Sequence, residues 1–206
     1  MITDVGLRER KKLATRTALT GAALRLAAER GVDGVTAEEI AAEAGVSVRT
    51  FFNYFATKEE AFVADDLERG QRFVAHVAAA DADAPLWELL RSAAVTILAT
   101  SELPDREQAL KEQLIRTSPA VVAQVLGAFA RLEEQLVVEL LRRTAPAPAL
   151  HARLLANAVL AAVRAATETW LDTSNVQQAG PEVFVALLDE AFTLLAPAFP
   201  PRTARG

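Results

Sequence analysis

The chain contains no cysteine, which excludes disulfides and cysteine-ligated zinc. Apolar residues make up 51% of it, yet no run approaches the ~20 uncharged residues of a membrane span. Its first residues, MITDVGLRERKK, lack the apolar stretch of a secretory signal. Together these absences lead to the expectation of a cytoplasmic protein with no membrane partner. Histidine is scarce: His76 and His151 stand far apart, each alone. No His/Asp/Glu spacing suits a metal, no glycine-rich loop would cradle a phosphate, and no hydrolase-type triad is visible. An enzyme, a metal site and a cofactor are therefore not expected. Alternating strand patterns and internal repeats are also missing, so the expected fold class is all-α.

What is present begins with length. At 206 residues the chain can bury a substantial core in one large domain or two small ones. Its net charge of −5 does not by itself suggest nucleic acid. The distribution says more. Residues 1–60 carry nine Lys/Arg against nine Asp/Glu, so the whole deficit lies in residues 61–206. Within the balanced part, Arg8, Arg10, Lys11, Lys12 and Arg16 face only Glu9 nearby, and no acid occurs from Ala44 to Lys58. A local basic surface can bind phosphates on an acidic protein, because the relevant field acts within a Debye length of ~8–10 Å.

Helix starts and stops are dense in the first sixty residues. A first helix is expected from Leu7 to Arg30, with Leu19, Ala22, Ala23 and Leu26 on one face and Gly31 at its end. Thr36-Ala-Glu-Glu39 has the form of a capping box, opening a short helix with Ile40, Ala41 and Ala44 inward. Gly45 suits the left-handed position after that helix, and Ser47 caps a third helix, Val48 to Phe55. Thr57-Lys-Glu-Glu60 forms a second capping box, opening a fourth helix expected to reach about Ala80. Beyond it, breaks at Pro85, Pro104, Pro119, the TAPAPA stretch and Pro181 mark helices near Pro85–Thr100, Asp105–Arg116, Ser118–Arg143, Pro148–Asp172 and Pro181–Ala196. The total is about nine. Pro197, Pro200 and Pro201 suggest a non-helical tail.

The stretch Thr36 to Lys58 has the parts of a helix-turn-helix. Phe51 and Phe55, with Val46, can lock the third helix onto the second, and Phe52 is also assigned mainly to the core. Val48, Arg49, Asn53 and Tyr54 are then left towards a groove. Arginine can bond guanine bidentately and asparagine can bond adenine. Thr36 and Thr57 place helix N-termini and hydroxyls where phosphates could sit, and Lys58 adds a flexible cation. The arm Arg8 to Lys12 is expected to be disordered without DNA, and either reaches backbone or minor groove when bound or is a plain solvated tail.

Three segments, AALRLAAERG at 22–31, VTAEEIAAEAGVS at 35–47 and RTFFNYFATKEE at 49–60, resemble the DNA-binding domain of the TetR family of bacterial transcriptional regulators. The resemblance covers roughly the first sixty residues. It implies a DNA-binding domain at residues 1–56 with a three-helix head, and a helical ligand-binding and dimerisation domain at 57–206. It also implies a double-stranded operator, near-palindromic and bound by a homodimer, with repression relieved by a small apolar or amphipathic effector. By position, Thr36 matches the threonine that opens the second helix and touches phosphate. Ser47, Val48, Arg49 and Thr50 match the start of the recognition helix, and Tyr54 and Lys58 match phosphate-contacting positions. Three departures are visible: Arg49 stands where glycine is frequent, Phe52 where tyrosine is frequent, and Ala27 replaces a common phenylalanine.

The remaining helices are rich in Leu, Val and Ala. Trp87 and Trp170 are candidate pocket walls, and Arg116, Asn157 and Arg164 could orient a polar or anionic group of an effector. Arg153, Asn157, Arg164, Glu168 and Asp172 share one helix face, which would equally suit solvent. Ala156, Ala158, Ala161, Ala162, Ala165 and Ala166 allow close approach of another helix. Phe184, Leu187, Leu188, Ala191, Phe192 and Leu195 form an apolar face on the last helix, so the two C-terminal helices are the expected homodimer surface. A helical module that binds protein through the same helix-turn-helix remains an alternative.

Overall fold

The computed structural model describes residues 2–81, 83–100, 117–144, 149–172 and 181–199. Among the described residues there is no strand. The elements are α1 (Ile2–Arg30), α2 (Ala37–Glu43), α3 (Val48–Phe52), α4 (Lys58–Phe62), α5 (Ala64–Ala79), α6 (Leu86–Thr100), α7 (Pro119–Thr144), α8 (Ala149–Asp172), α9 (Pro181–Leu195) and a final 3-10 turn, Ala196–Ala198. The helix expected at Asp105–Arg116 lies outside the described residues. The expected count of nine is nonetheless met among them, because the expected fourth helix is two helices.

That division has a packing cause. Ala61, Phe62, Val63 and Ala64 are all buried, with relative exposures of 0%, 5%, 2% and 0%. Four consecutive side chains cannot face one side of a regular α-helix, where successive residues are rotated by about 100°. Val63, with φ −114° and ψ 8°, leaves the helical conformation and re-aims the chain between α4 and α5. Three other boundaries also differ from expectation. α1 begins at Ile2, so Arg8 to Lys12 belong to a helix and not to a disordered arm. α3 stops at Phe52, with its last turn tightened by bonds from Asn53 N to Thr50 O and Tyr54 N to Phe51 O. Pro197 lies in the 3-10 turn, so the tail is helical as far as Ala198.

Contacts divide the chain into two compact units: Met1–Asp66 with Leu110–Gly127, and Leu67–Ala109 with Ala128–Gly206. In the first, α1 packs on α2 and α4, and α2 packs on α3. Leu19, Ala22, Ala23 and Leu26 are buried on α1 at the expected spacing, joined by Ala27. α2 ends in a Schellman arrangement: Val46 N donates to Ala41 O at 2.9 Å and Gly45 N to Ala42 O at 3.0 Å. The φ of +70° at Gly45 is what allows this tight reversal into α3. Ala44 is the C-cap of α2 and only half-buried, not an inward core residue.

The second unit has a core drawn from five helices: Phe73 and Val77 of α5, Leu90 and Ala93 of α6, Leu136 and Leu140 of α7, Val159 and Ala162 of α8, and Phe184, Leu188 and Phe192 of α9. Leu187, Ala191 and Leu195 pack against it. The apolar face of the last helix, expected to meet a second copy, is therefore used within the subunit. Ala156, Ala162 and Ala166 are likewise buried in this core. Among the described residues Ala149–Trp170 is long and apolar enough to cross a membrane by length and composition. Its Leu155, Val159 and Trp170 lie in the core.

Polar ties hold this unit together. Arg143, with 8% of its side chain exposed, donates from Nη1 to Asp81 O at 2.8 Å and from Nη2 to Val77 O and Ala80 O at 2.5 and 2.6 Å. It thereby satisfies carbonyls left open at the C-terminus of α5 and places positive charge at the negative end of that helix. Arg91 on α6 pairs with Asp189 on α9, and with Glu88 at 3.0 Å.

Candidate nucleic-acid interface

The turn between α2 and α3 is held by side-chain caps. Thr36 Oγ1 accepts from Glu39 N at 3.2 Å, and Glu39 Oε2 accepts from Thr36 N at 3.0 Å, so the first capping box forms as expected. Glu39 Oε2 also accepts from the Thr36 hydroxyl at 3.2 Å, and Arg30 Nη1 donates to Oε1 at 2.9 Å. The amide and hydroxyl of Thr36, followed by the charge of Arg30, hold the Glu39 carboxyl below the usual carboxylate range. The second box differs from expectation. Thr57 Oγ1 accepts from Glu60 N at 3.3 Å, but the Glu60 carboxylate takes the amide of Ala56, at 2.7 Å, instead of that of Thr57.

The inner face of α3 is aromatic. Phe51 is fully buried and Phe55 is 3% exposed, their ring centroids 5.6 Å apart. Arg16 lies over the Phe55 ring at 5.1 Å, and its Nη2 donates to Ala64 O at 3.5 Å. This arginine of the basic cluster is thus built into the packing of the first unit. Ser47 caps α3 by accepting from Thr50 N at 3.1 Å, and the Ser47 and Thr50 hydroxyls share a 2.8 Å hydrogen bond.

Ser47, Arg49 and Asn53 are exposed, and Val48, Thr50 and Tyr54 are half-buried. Tyr54 leans on Phe55 with centroids 6.5 Å apart. The α2–α3 unit therefore brings Thr36, Ser47, Val48, Arg49, Thr50, Asn53 and Tyr54 into one short segment of 19 residues. Lys58 is not the flexible cation expected. Its Nζ donates to Val32 O at 2.9 Å and to Val35 O at 2.8 Å, tying the start of α4 to the loop before α2. An ammonium has three donors, so one remains beyond these two carbonyls.

Phe52 is the main correction to the sequence reading. Its spacing predicts a core position, and the ring is instead 53% exposed. On a helix continued to Phe55, Phe52 would lie only about 60° from Phe55 and share its buried face. α3 ends at Phe52, so that wheel does not apply. The i, i+4 spacing from Val48 was the available signal for an outward ring.

The described residues nominated for an effector have different surroundings. Trp170 is 4% exposed and meets Phe184 edge-on at 5.7 Å. Trp87 stacks on Phe199 at 5.1 Å and leans on Phe192 at 5.3 Å. Asn157 is exposed and donates to Glu133 at 2.8 Å, linking α8 to α7. Arg164 pairs with Glu168 at 4.0 Å, both largely exposed. The α8 face bearing Arg153, Asn157, Arg164 and Glu168 is a solvated one. Arg116 lies outside the described residues.

Known proteins match the two parts of the chain. A family model of bacterial regulatory proteins of the tetR family matches residues 19–64. A second, described as the MftR C-terminal domain, matches residues 84–200, more than half the chain. The HTH-type transcriptional regulator TcmR of Streptomyces glaucescens is 47% identical over 55 residues, which span 27% of this chain and 24% of that protein. A transcriptional regulator from Rhodococcus sp. Rha1 superposes with a TM-score of 0.52 at 21% identity, over 89% of this chain and 96% of its own. A chain described as a TetR-family regulator, from Mesorhizobium loti MAFF303099, gives 0.50 at 18% identity over the same shares. At these identities the two structures speak for the fold alone. With both family models matched and the helix-turn-helix in place, the chain belongs to the TetR family of bacterial transcriptional regulators and carries their DNA-binding helix-turn-helix.

Proposed function

We propose that the protein is a dimeric cytoplasmic repressor, released from a near-palindromic operator by a small apolar or amphipathic effector. The observation that carries the DNA part is the division of α3 and its flanks. Phe51 and Phe55 lock the helix inward, while Arg49 and Asn53 stand exposed beside it. Arg49, with Val48 and Asn53, reads bases in this proposal. Thr36, Ser47, Thr50, Tyr54, Thr57 and Lys58 hold phosphates, with the third donor of Lys58 and the free amides at the start of α2 as the groups available. Residues 1–56 serve DNA and residues 57–206 serve effector and partner.

Dimerisation through the two C-terminal helices is supported by the part of the expected surface that the subunit core leaves uncovered. Leu150, Leu154, Ala161 and Ala165 are exposed along α8, and Leu194 is 73% exposed on α9. Two such heads about one DNA turn apart, ~34 Å, would require a palindromic site. The effector would act by its differential affinity for two arrangements of the heads, typically ~1–3 kcal/mol. Trp87, Asn157, Arg164 and Trp170, with Arg116, are the proposed effector-contacting residues.

Selection of bound duplexes from random DNA tests the reading. A near-palindromic consensus is expected, bound with log K falling against log salt by roughly 0.9 per phosphate neutralised. Arg49→Ala should cost ~1–3 kcal/mol and relax preference at one position in each half-site. An unchanged sequence profile would remove Arg49 from the base-reading set. Absence of any salt-dependent affinity would leave the helix-turn-helix as a protein-binding module.

A further inference from the structure

We propose that Phe52 reads thymine, by packing its exposed ring against the C5-methyl group that thymine projects into the major groove. The inference rests on the reading of α3 as the groove-facing helix. Phe52 is 53% exposed, although it belongs to the most tightly organised part of the chain. Its ring is not loose. It meets the fully buried Phe51 ring edge-on, at 5.3 Å and 89°. A held ring loses little freedom on docking, which is the condition for a contact surface to yield affinity.

The neighbours of Phe52 define what it can meet. Val48 lies one turn back on the same side of α3 and is half-buried, so the two make a small apolar strip. Arg49 and Asn53, both exposed, flank that strip with groups that bond base edges. Phe52 itself has no hydroxyl and can give nothing to a phosphate oxygen. The thymine methyl is the apolar group that distinguishes one base from the others in the major groove, and phenylalanine is among the side chains that suit it. Arg49 and Asn53 would then report guanine and adenine, while Phe52 reports thymine, so this five-residue helix with its C-cap discriminates three bases.

The probe is deoxyuridine, which pairs as thymine does and lacks only the methyl. A duplex selected by the full chain from random DNA is remade with each thymine in turn replaced by deoxyuridine, and Kd is measured at one salt concentration. Wild-type protein should lose about fourfold in affinity for each contacted thymine, the worth of one buried methyl group. Phe52→Ala should bind the thymine duplex correspondingly more weakly and show no further loss with deoxyuridine. Phe52→Leu, which keeps an apolar contact, should retain part of the difference. The proposal is overturned if no thymine is sensitive, if the loss is equal in wild type and Phe52→Ala, or if it vanishes instead in Val48→Ala. A wild-type protein that selects no sequence and binds without salt dependence would refute the helix-turn-helix reading as well. A selected duplex indifferent to deoxyuridine refutes the role of Phe52 alone.

Discussion

Lys58 offers the sharpest separation of structure from DNA contact, because one side chain is assigned both. Lys58→Met keeps the length of the side chain and removes the charge and all three donors. The structure loses two charge-assisted hydrogen bonds, at 2.9 and 2.8 Å, to Val32 O and Val35 O. Such bonds contribute about 1.5–3 kcal/mol each in favourable settings. Lys58 is half-exposed, so the freed carbonyls regain water and the net cost falls to about 2 kcal/mol for the pair. In a chain of 206 residues that corresponds to a fall in Tm of about 4–8 °C. Urea and thermal unfolding followed by circular dichroism would read it. DNA binding tests the third donor. Fluorescence anisotropy across a salt series should show the slope of log K against log salt reduced by about 0.9 per head, since one phosphate is no longer neutralised. Lys58→Arg should restore the slope. A Tm within 1 °C of wild type would refute the tether. A lowered Tm with an unchanged slope would confine Lys58 to the loop and remove it from the phosphate-binding set.

Other perturbations follow from the same geometry. Arg143→Met should destabilise the protein by about 3 kcal/mol in chemical denaturation, because carbonyls at the end of α5 lose a nearly buried cation; a change below 1 kcal/mol would show that water replaces it. Phe51→Ala should cost about 3–5 kcal/mol, as a fully buried ring is removed. Phe52→Ala, one residue on, should stay within about 0.5 kcal/mol in the same measurement, and equal costs would contradict the buried and exposed positions assigned to the two rings. Glu39 supplies a pH dependence. Its folded carboxyl is held below the ordinary value of 4.5 by the amide and hydroxyl of Thr36. Its contribution is therefore present above that value and lost as pH falls through the lower folded value. The stability difference between wild type and Glu39→Gln should be largest near neutrality and vanish in acid; a difference independent of pH would exclude the charged form as the cause.

The division between sequence and tertiary structure runs along the range of the interactions. Caps, turns and short amphipathic faces are local. Thr36, Gly45 and Ser47 declared their roles through spacing, because the groups they satisfy lie within a few residues. The same holds for Leu19, Ala22, Ala23 and Leu26, whose face is a property of one helix. These local signals carried the all-α class, the helix-turn-helix and the family resemblance that the matches at residues 19–64 and 84–200 support.

Contacts between distant residues were not legible. That Lys58 would spend two donors on Val32 and Val35, 26 and 23 residues away, follows from where α4 starts relative to the loop before α2. Phe52 faces outward because α3 ends with it, so the buried Phe55 beyond that end does not share its helical face. The helix expected from Lys58 to Ala80 broke at Val63 because burial of four successive side chains outweighed continuity of the backbone. The apolar face of α9 was visible as a face, but its partner was not. Periodicity states that a surface must be covered, and only the packed chain decides whether its own core or a second molecule covers it. The sequence by itself thus determined the all-α class and the short helix-turn-helix motif that meets DNA. Tertiary packing decided which side chains of that motif remain free to do so, because exposure is set by neighbours that no local spacing records.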